Sequence, residues 1–203
     1  MHQITSISAL TKQKSKVCID HDMTIALYKG EIRRFHMEEG GELSDSDYDE
    51  IFHTILPKRM KERVANLLMR RQMTHQEVVR KLKEGYYPED LIEETIALFE
   101  KHHYIDDANY SESFLTFRNR NKSKKQLQQD LLKKGVDRET IASALEESDV
   151  DDGETIRILM RKKHFDPKEA TKEERQKFCM SLMRKGFSYE TISKIVGESY
   201  ESM

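Results

Sequence analysis

The stretch Lys133-Lys134-Gly135-Val136, followed by Asp137 and then Ile141, decides the fold because it returns. Arg184-Lys185-Gly186-Phe187 is followed by Ser188 and Ile192, and a looser copy, Lys83-Glu84-Gly85-Tyr86, precedes Leu91 and Ile92. The three glycines sit about fifty residues apart, a spacing typical of helical repeats. Each copy reads as a helix stop. Glycine most readily takes the left-handed conformation that closes a helix, and cations beside it complement the negative helix C-terminus. A short stack of one helical unit is suited to gripping another macromolecule rather than enclosing a reaction.

Working outward from the glycines, start signals recur in the same order. In the first unit Met60, Val64, Leu67 and Leu68 share one helical face. Thr74 with Glu77 is a capping box, in which each side chain satisfies an N–H at the helix start. Val78, Val79 and Leu82 lead to Gly85, and Pro88 suits the first turn of a third helix carrying Leu91, Ile92, Ile96 and Phe99. In the second unit Asp107 caps a helix with Tyr110, Phe114 and Phe117. Ser123 with Gln126 starts a second helix, and Asp137 a third with Ile141, Ala144 and Leu145. The third unit repeats the plan with Ile156, Leu159 and Met160, then Asp166-Pro167 and Thr171 with Glu174, then Phe178, Leu182 and Met183. Ser188 caps its last helix.

The first fifty residues differ. Ile4–Leu10, Lys16–Ile19 and Thr24–Tyr28 are short and partly alternating, with turn formers at Asp20-His21-Asp22, as in a β-hairpin. Gly40-Gly41 ends this head, Glu42-Leu43-Ser44 introduces a short helix over Asp45–Leu56, and Pro57 punctuates the passage into the repeats. The expected organisation is mainly α. A strand-containing head spans 1–56, and tandem three-helix units span 57–106, 107–150 and 151–203.

Charged residues make up 35% of the 203 positions against 36% hydrophobic, with no Trp, which suits thin helical layers with large solvated faces. A net charge of −2 gives no global field towards nucleic acid. Charge is instead segregated, basic over 58–83 and 118–134 and acidic over 38–50 and 146–154. The first thirty residues do not read as a signal peptide, and no run of eighteen apolar residues marks a membrane span. With only Cys18 and Cys179, widely spaced, the chain is expected to be cytoplasmic with reduced thiols.

Enzyme chemistry has no visible seat. No phosphate loop, nucleophile elbow or paired-cysteine motif is present, and no cofactor is expected. His102-His103 with Asp106-Asp107 reads as a loop before a capped helix rather than a metal site, because adjacent histidines point apart. The carboxylates over 146–154 lack the pattern of a calcium loop and read as a solvated linker. The basic turns carry more. Arg70 and Arg71, then Arg118, Arg120, Lys124 and Lys125, then Arg161, Lys162 and Lys163 stand at matching turns before each middle helix. Cations beside helix N-termini favour phosphates or an acidic protein surface. Phe114 and Phe117, at helical spacing with Tyr110, read as core rather than as base-stacking platforms.

Tyr104-Ile105-Asp106-Asp107-Ala108-Asn109-Tyr110 resembles the tyrosine–aliphatic–Asp-Asp…Tyr signature of the RecX family of RecA regulators. Leu131-Leu132-Lys133-Lys134-Gly135-Val136 resembles that family's Leu-x-x-Lys-Gly-aliphatic stretch, and Phe178 through Ile192 its third-repeat phrase. Gly40-Gly41-Glu42-Leu43-Ser44 resembles the segment before the repeats in longer members. The chain departs at Lys122-Ser123, where a glycine is common, at His103, where glycine is frequent, and by one extra residue after Gly85. The resemblance implies an elongated, curved array of the three-helix units that binds the RecA filament on single-stranded DNA and modulates RecA, usually by inhibition; a monomer with weak direct contact with DNA is expected. The competing expectation is a helix-turn-helix-like protein that binds nucleic acid independently of RecA.

Overall fold

Alternating apolar side chains in the head build an antiparallel sheet. A computed structural model describes the backbone of residues 1–118 and 121–201 and the side chains of 1–117 and 121–197. Strands β1 (His2–Ala9), β2 (Lys14–Ile19), β3 (Met23–Tyr28) and β4 (Glu42–Leu43) form one sheet in the order β3-β2-β1-β4. Ile4, Val17, Ile19, Ile25 and Leu27 are buried on one face of it. Asp20 and His21 turn the β2–β3 hairpin with φ of 51° and 70°, a conformation that short polar side chains tolerate. The open edge of β3 is not left bare. Arg59 donates to the Ala26 carbonyl at 3.2 Å and pairs with Glu31, whose carboxylate also accepts the Tyr28 N–H at 2.8 Å.

A short helix absent from the sequence reading, α1 (Lys29–Arg34), follows β3. Ser44 then caps α2 (Asp45–Glu50) by accepting the Asp47 N–H at 3.1 Å. The expected break at Pro57 does not occur. The helix continues through a π-helical stretch, Ile51–Ile55, directly into α3 (Leu56–Arg70), with Pro57 in its first turn. Proline lacks an N–H and crowds the carbonyl four residues back. The wider π turn immediately upstream accommodates both defects, so the chain keeps its direction. Helices α4 (His75–Lys83) and α5 (Glu89–Lys101) complete the first three-helix domain. Pro88 sits at the cap position of α5 rather than inside its first turn.

Contacts divide the chain into two compact units, the first ending at Asp106 and the second starting at Asp107. In the first, a single buried cluster runs from Ile4 in the sheet through Leu27, Leu56 and Met60 to Ile105, so head and first helical domain share a core. The second holds two three-helix domains. One comprises α6 (Asp107–Arg118), α7 (Lys124–Lys133) and α8 (Arg138–Glu147). The other comprises α9 (Asp152–Lys162), α10 (Lys172–Arg184) and α11 (Tyr189–Glu201). Their cores centre on Leu127, Leu131 and Ile141, and on Ile156, Leu182 and Ile192.

The expected caps form at Thr74, Ser123, Asp137, Thr171 and Ser188. Asp107, however, is the first residue of α6 rather than the residue before it, so the helix begins one position earlier than expected. Gly135 and Gly186 end their helices at φ of 87° and 84°, with the next N–H returning to Leu131 and Leu182. Gly85 is different. The left-handed residue is Tyr86, at φ 57°, one position later. Gly85 is required instead for space, because a Cβ there would lie 2.9 Å from the Tyr87 ring. The extra residue after Gly85 moves the reversal onto Tyr86 and folds Tyr87 back over the glycine.

Candidate functional site: the basic turns

Each basic turn follows the last turn of a domain's first helix, and the three are built differently. In the first domain Arg70 ends α3 and Arg71 is its cap residue. Arg71 donates to both carboxylate oxygens of Glu77, at 3.1 and 3.4 Å, and Glu77 is 4% exposed. Glu77 is also the carboxylate of the α4 capping box. Arg71 is therefore half of a structural ion pair, whereas Arg70 is exposed. Removing the partner of a buried carboxylate is costly. Because Arg71 is itself half exposed, the expected loss for Arg71→Ala is about 1–3 kcal/mol, against about 0.5 kcal/mol or less for Arg70→Ala. Urea unfolding of the two variants checks the contrast.

The second compact unit brings two basic turns together. Lys162, at the end of α9, donates from Nζ to Oδ1 of Asn121 at 2.9 Å, which lays the Arg161–Lys163 turn against the turn that leads into α7. Ser123, fully buried, donates from Oγ to the Lys185 carbonyl at 2.7 Å and accepts the Gln126 N–H at 3.2 Å. Gly186 packs so closely that a Cβ would lie 2.8 Å from that hydroxyl. The surface thus gathers Lys124 and Lys125 with Lys162, Lys163 and Lys185. Lys122 is neutralised by Asp130, and Arg161 by Glu154 at 2.9 Å. The Arg118 side chain and all of Arg120 lie outside the described residues.

Two expectations change here. The N-termini of α4, α7 and α10 are already capped from within the chain. At α7, the Asp152 carboxylate accepts the Lys124 N–H at 2.7 Å. Burial pushes the Asp152 pKa up, against the opposing pull of that N–H and of the Lys124 charge. Any anion recognised at this turn must therefore be held by side chains. The acidic stretch 146–154 is likewise more than a solvated linker. Val150 is buried, Asp151 caps α9 through the Gly153 N–H at 2.8 Å, and Asp152 ties α9 to α7. This tie is invisible to sequence reasoning because it joins residues 28 positions apart with no local signature.

Phe117 is the other departure. Phe114 and Leu115 are buried at 8% and 1% exposure, but Phe117 is 81% exposed. Two consecutive positions already fill the inward stripe of α6, and Phe117, two residues beyond Leu115, is carried about 200° further around the helix. Around the signature residues, Tyr104 is 68% exposed and tilts against Phe99, and Tyr110 stacks on Phe114. His103 lies 3.6 Å from Asp106, and no group of three metal-ligating side chains occurs among the described residues. No described helix is long and apolar enough to cross a membrane.

Comparison with known proteins identifies the repeats. The first, second and third three-helix domains of RecX match residues 61–97, 106–145 and 150–196 respectively. The regulatory protein RecX of Caldanaerobacter subterraneus subsp. tengcongensis is 30% identical over 164 residues, covering 78% of this chain and 79% of that one. The chain belongs to the RecX family. The regulatory protein RecX of Clostridioides difficile is 26% identical over 201 residues, 96% of this chain and 94% of its own. Among solved structures, RecX from Lactobacillus salivarius aligns with a TM-score of 0.61 at 28% identity, over 71% of this chain and 97% of that one. A second RecX crystal structure covers 98% of this chain and all of its own at a TM-score of 0.64 and 21% identity, a likeness of fold. The strand head, the glycine stops and the Asp-Asp signature thus belong to one family architecture, and the chain is a RecX-type regulator.

Proposed function

We propose that this chain binds the RecA filament on single-stranded DNA and lowers its ATPase, recombinase and coprotease activities. The observation that carries the reading is the cationic surface at the α6–α7 and α9–α10 turns, found in a member of a family of regulators. Two turns from separate repeats converge there while the chain as a whole is near neutral. A protein built this way has little long-range attraction for bare DNA, yet offers a local patch to phosphates or to acidic protein surface. Stacked helical domains supply extended surface of the kind that follows a filament groove. The basic residues act by charge and hydrogen bonding; no step of bond making or breaking is invoked.

Titrating the protein into RecA turning over ATP on single-stranded DNA tests the reading. Loss of turnover at concentrations well below that of RecA is the expected result, and no change in turnover overturns it. A variant reversed at Lys124, Lys125, Lys162 and Lys163 keeps its helical circular dichroism and raises the half-inhibitory concentration on the order of tenfold or more. Unchanged inhibition by that folded variant removes the site assignment. Tight, salt-sensitive binding to bare duplex without RecA would instead favour an autonomous DNA-binding protein.

A further inference from the structure

We propose that Phe117 is a stacking platform for an unpaired nucleic-acid base, with flanking phosphates held by Lys124, Lys125, Lys162 and Lys163. The inference deepens the reading above: it assigns this surface to the DNA strand rather than to RecA. Phe117 exposes 81% of its surface although burying a phenyl ring is strongly favourable in water. It stands in the last turn of α6, immediately before positions 118–125, whose sequence carries five cations and no carboxylate, with Lys122 alone of the described ones paired to Asp130. The fold then adds a second cationic turn through the Lys162–Asn121 contact at 2.9 Å, four residues beyond the ring.

A partner for this surface must be anionic and must also present a flat apolar face. Single-stranded nucleic acid has both, because its bases are unstacked and its phosphates continuous. Duplex DNA hides its base faces inside the stack, and an acidic protein surface offers carboxylates without such faces. The first domain repeats the pairing in cruder form. Met69, 84% exposed in the last turn of α3, directly precedes the exposed Arg70, while Arg71 is held by Glu77.

The chain contains no tryptophan, so Phe117→Trp gives a sole-tryptophan reporter. Fluorescence of that full-length variant is expected to quench on titration with oligothymidylate, and not with an abasic oligomer of equal length and charge. In parallel, Phe117→Leu keeps apolar bulk but removes the ring; it should weaken oligothymidylate binding about tenfold and leave abasic binding unchanged. The lysine reversals should weaken both oligomers equally. Wild-type affinity of Phe117→Leu for oligothymidylate, equal quenching by the two oligomers, or no binding of either oligomer by the wild-type protein overturns the proposal. So does a Phe117→Leu defect seen only in the presence of RecA, which would assign the ring to the protein partner. Stacking without any effect on RecA turnover sinks the RecA reading alone.

Discussion

Shortening Leu56 to alanine is expected to cost about 3–5 kcal/mol and to loosen the strand head and the first helical domain together. Leu56 is fully buried, at the junction where the π-helical stretch gives way to α3. The cluster it belongs to includes Ile4, Ile25 and Leu27 from the sheet and Val64, Leu82, Ile92 and Ile96 from the helices. No second core is available to the head, so a cavity at this point weakens both layers. Domains are typically stable by only 5–15 kcal/mol, which makes the loss a large fraction of the whole. Hydrogen exchange checks the coupling. Amides of β2 and of α5 should lose protection by the same factor in Leu56→Ala. Retained protection in β2 with loss confined to α5 would show that the head folds by itself.

That shared core is the part of the fold least visible from sequence. Thr74, Ser123, Asp137 and Thr171 were legible because a capping side chain acts within three residues of itself. Gly135 and Gly186 were legible because few residues tolerate a left-handed backbone. Pro57 misled for the complementary reason. Its local chemistry predicts a break, and only the π turn upstream, which has no residue signature, restores continuity. Helix ends at His36, His103 and His164, with φ of 49°, 55° and 49°, show that a stop can also occur without glycine. The candidate site divides in the same way. Its cations were visible as residue types, but their convergence depends on Lys162 reaching Asn121 and Asp152 reaching Lys124 across separate repeats. Arg71 resembles its neighbour Arg70 in sequence, and only the buried Glu77 carboxylate that it pairs with sets the two apart.

Gly186→Ala should cost about 3 kcal/mol or more. Two effects add. A left-handed backbone, φ 84° here, costs a residue with a Cβ about 1–2 kcal/mol. The new methyl would also lie 2.8 Å from Ser123 Oγ, which is fully buried between the Lys185 carbonyl and the start of α7. Displacing that hydroxyl forfeits its hydrogen bond to Lys185 and disturbs the α7 cap, each worth about 1 kcal/mol. Gly40→Ala isolates the first effect, since Gly40 has φ 76° with nothing within 4 Å of a Cβ; it should cost only about 1–2 kcal/mol. The second effect is isolated by repeating Gly186→Ala in a Ser123→Ala background. With no Oγ to meet, the methyl should cost only the backbone strain, and the difference between backgrounds measures the coupling. A cost independent of residue 123 would mean that the glycine stop of the third repeat does not lock onto the helix start of the second. The same contact sets Lys185 beside Lys125. Loosening it should therefore reduce inhibition of RecA beyond what the folded fraction alone explains, at a temperature where Gly186→Ala remains folded.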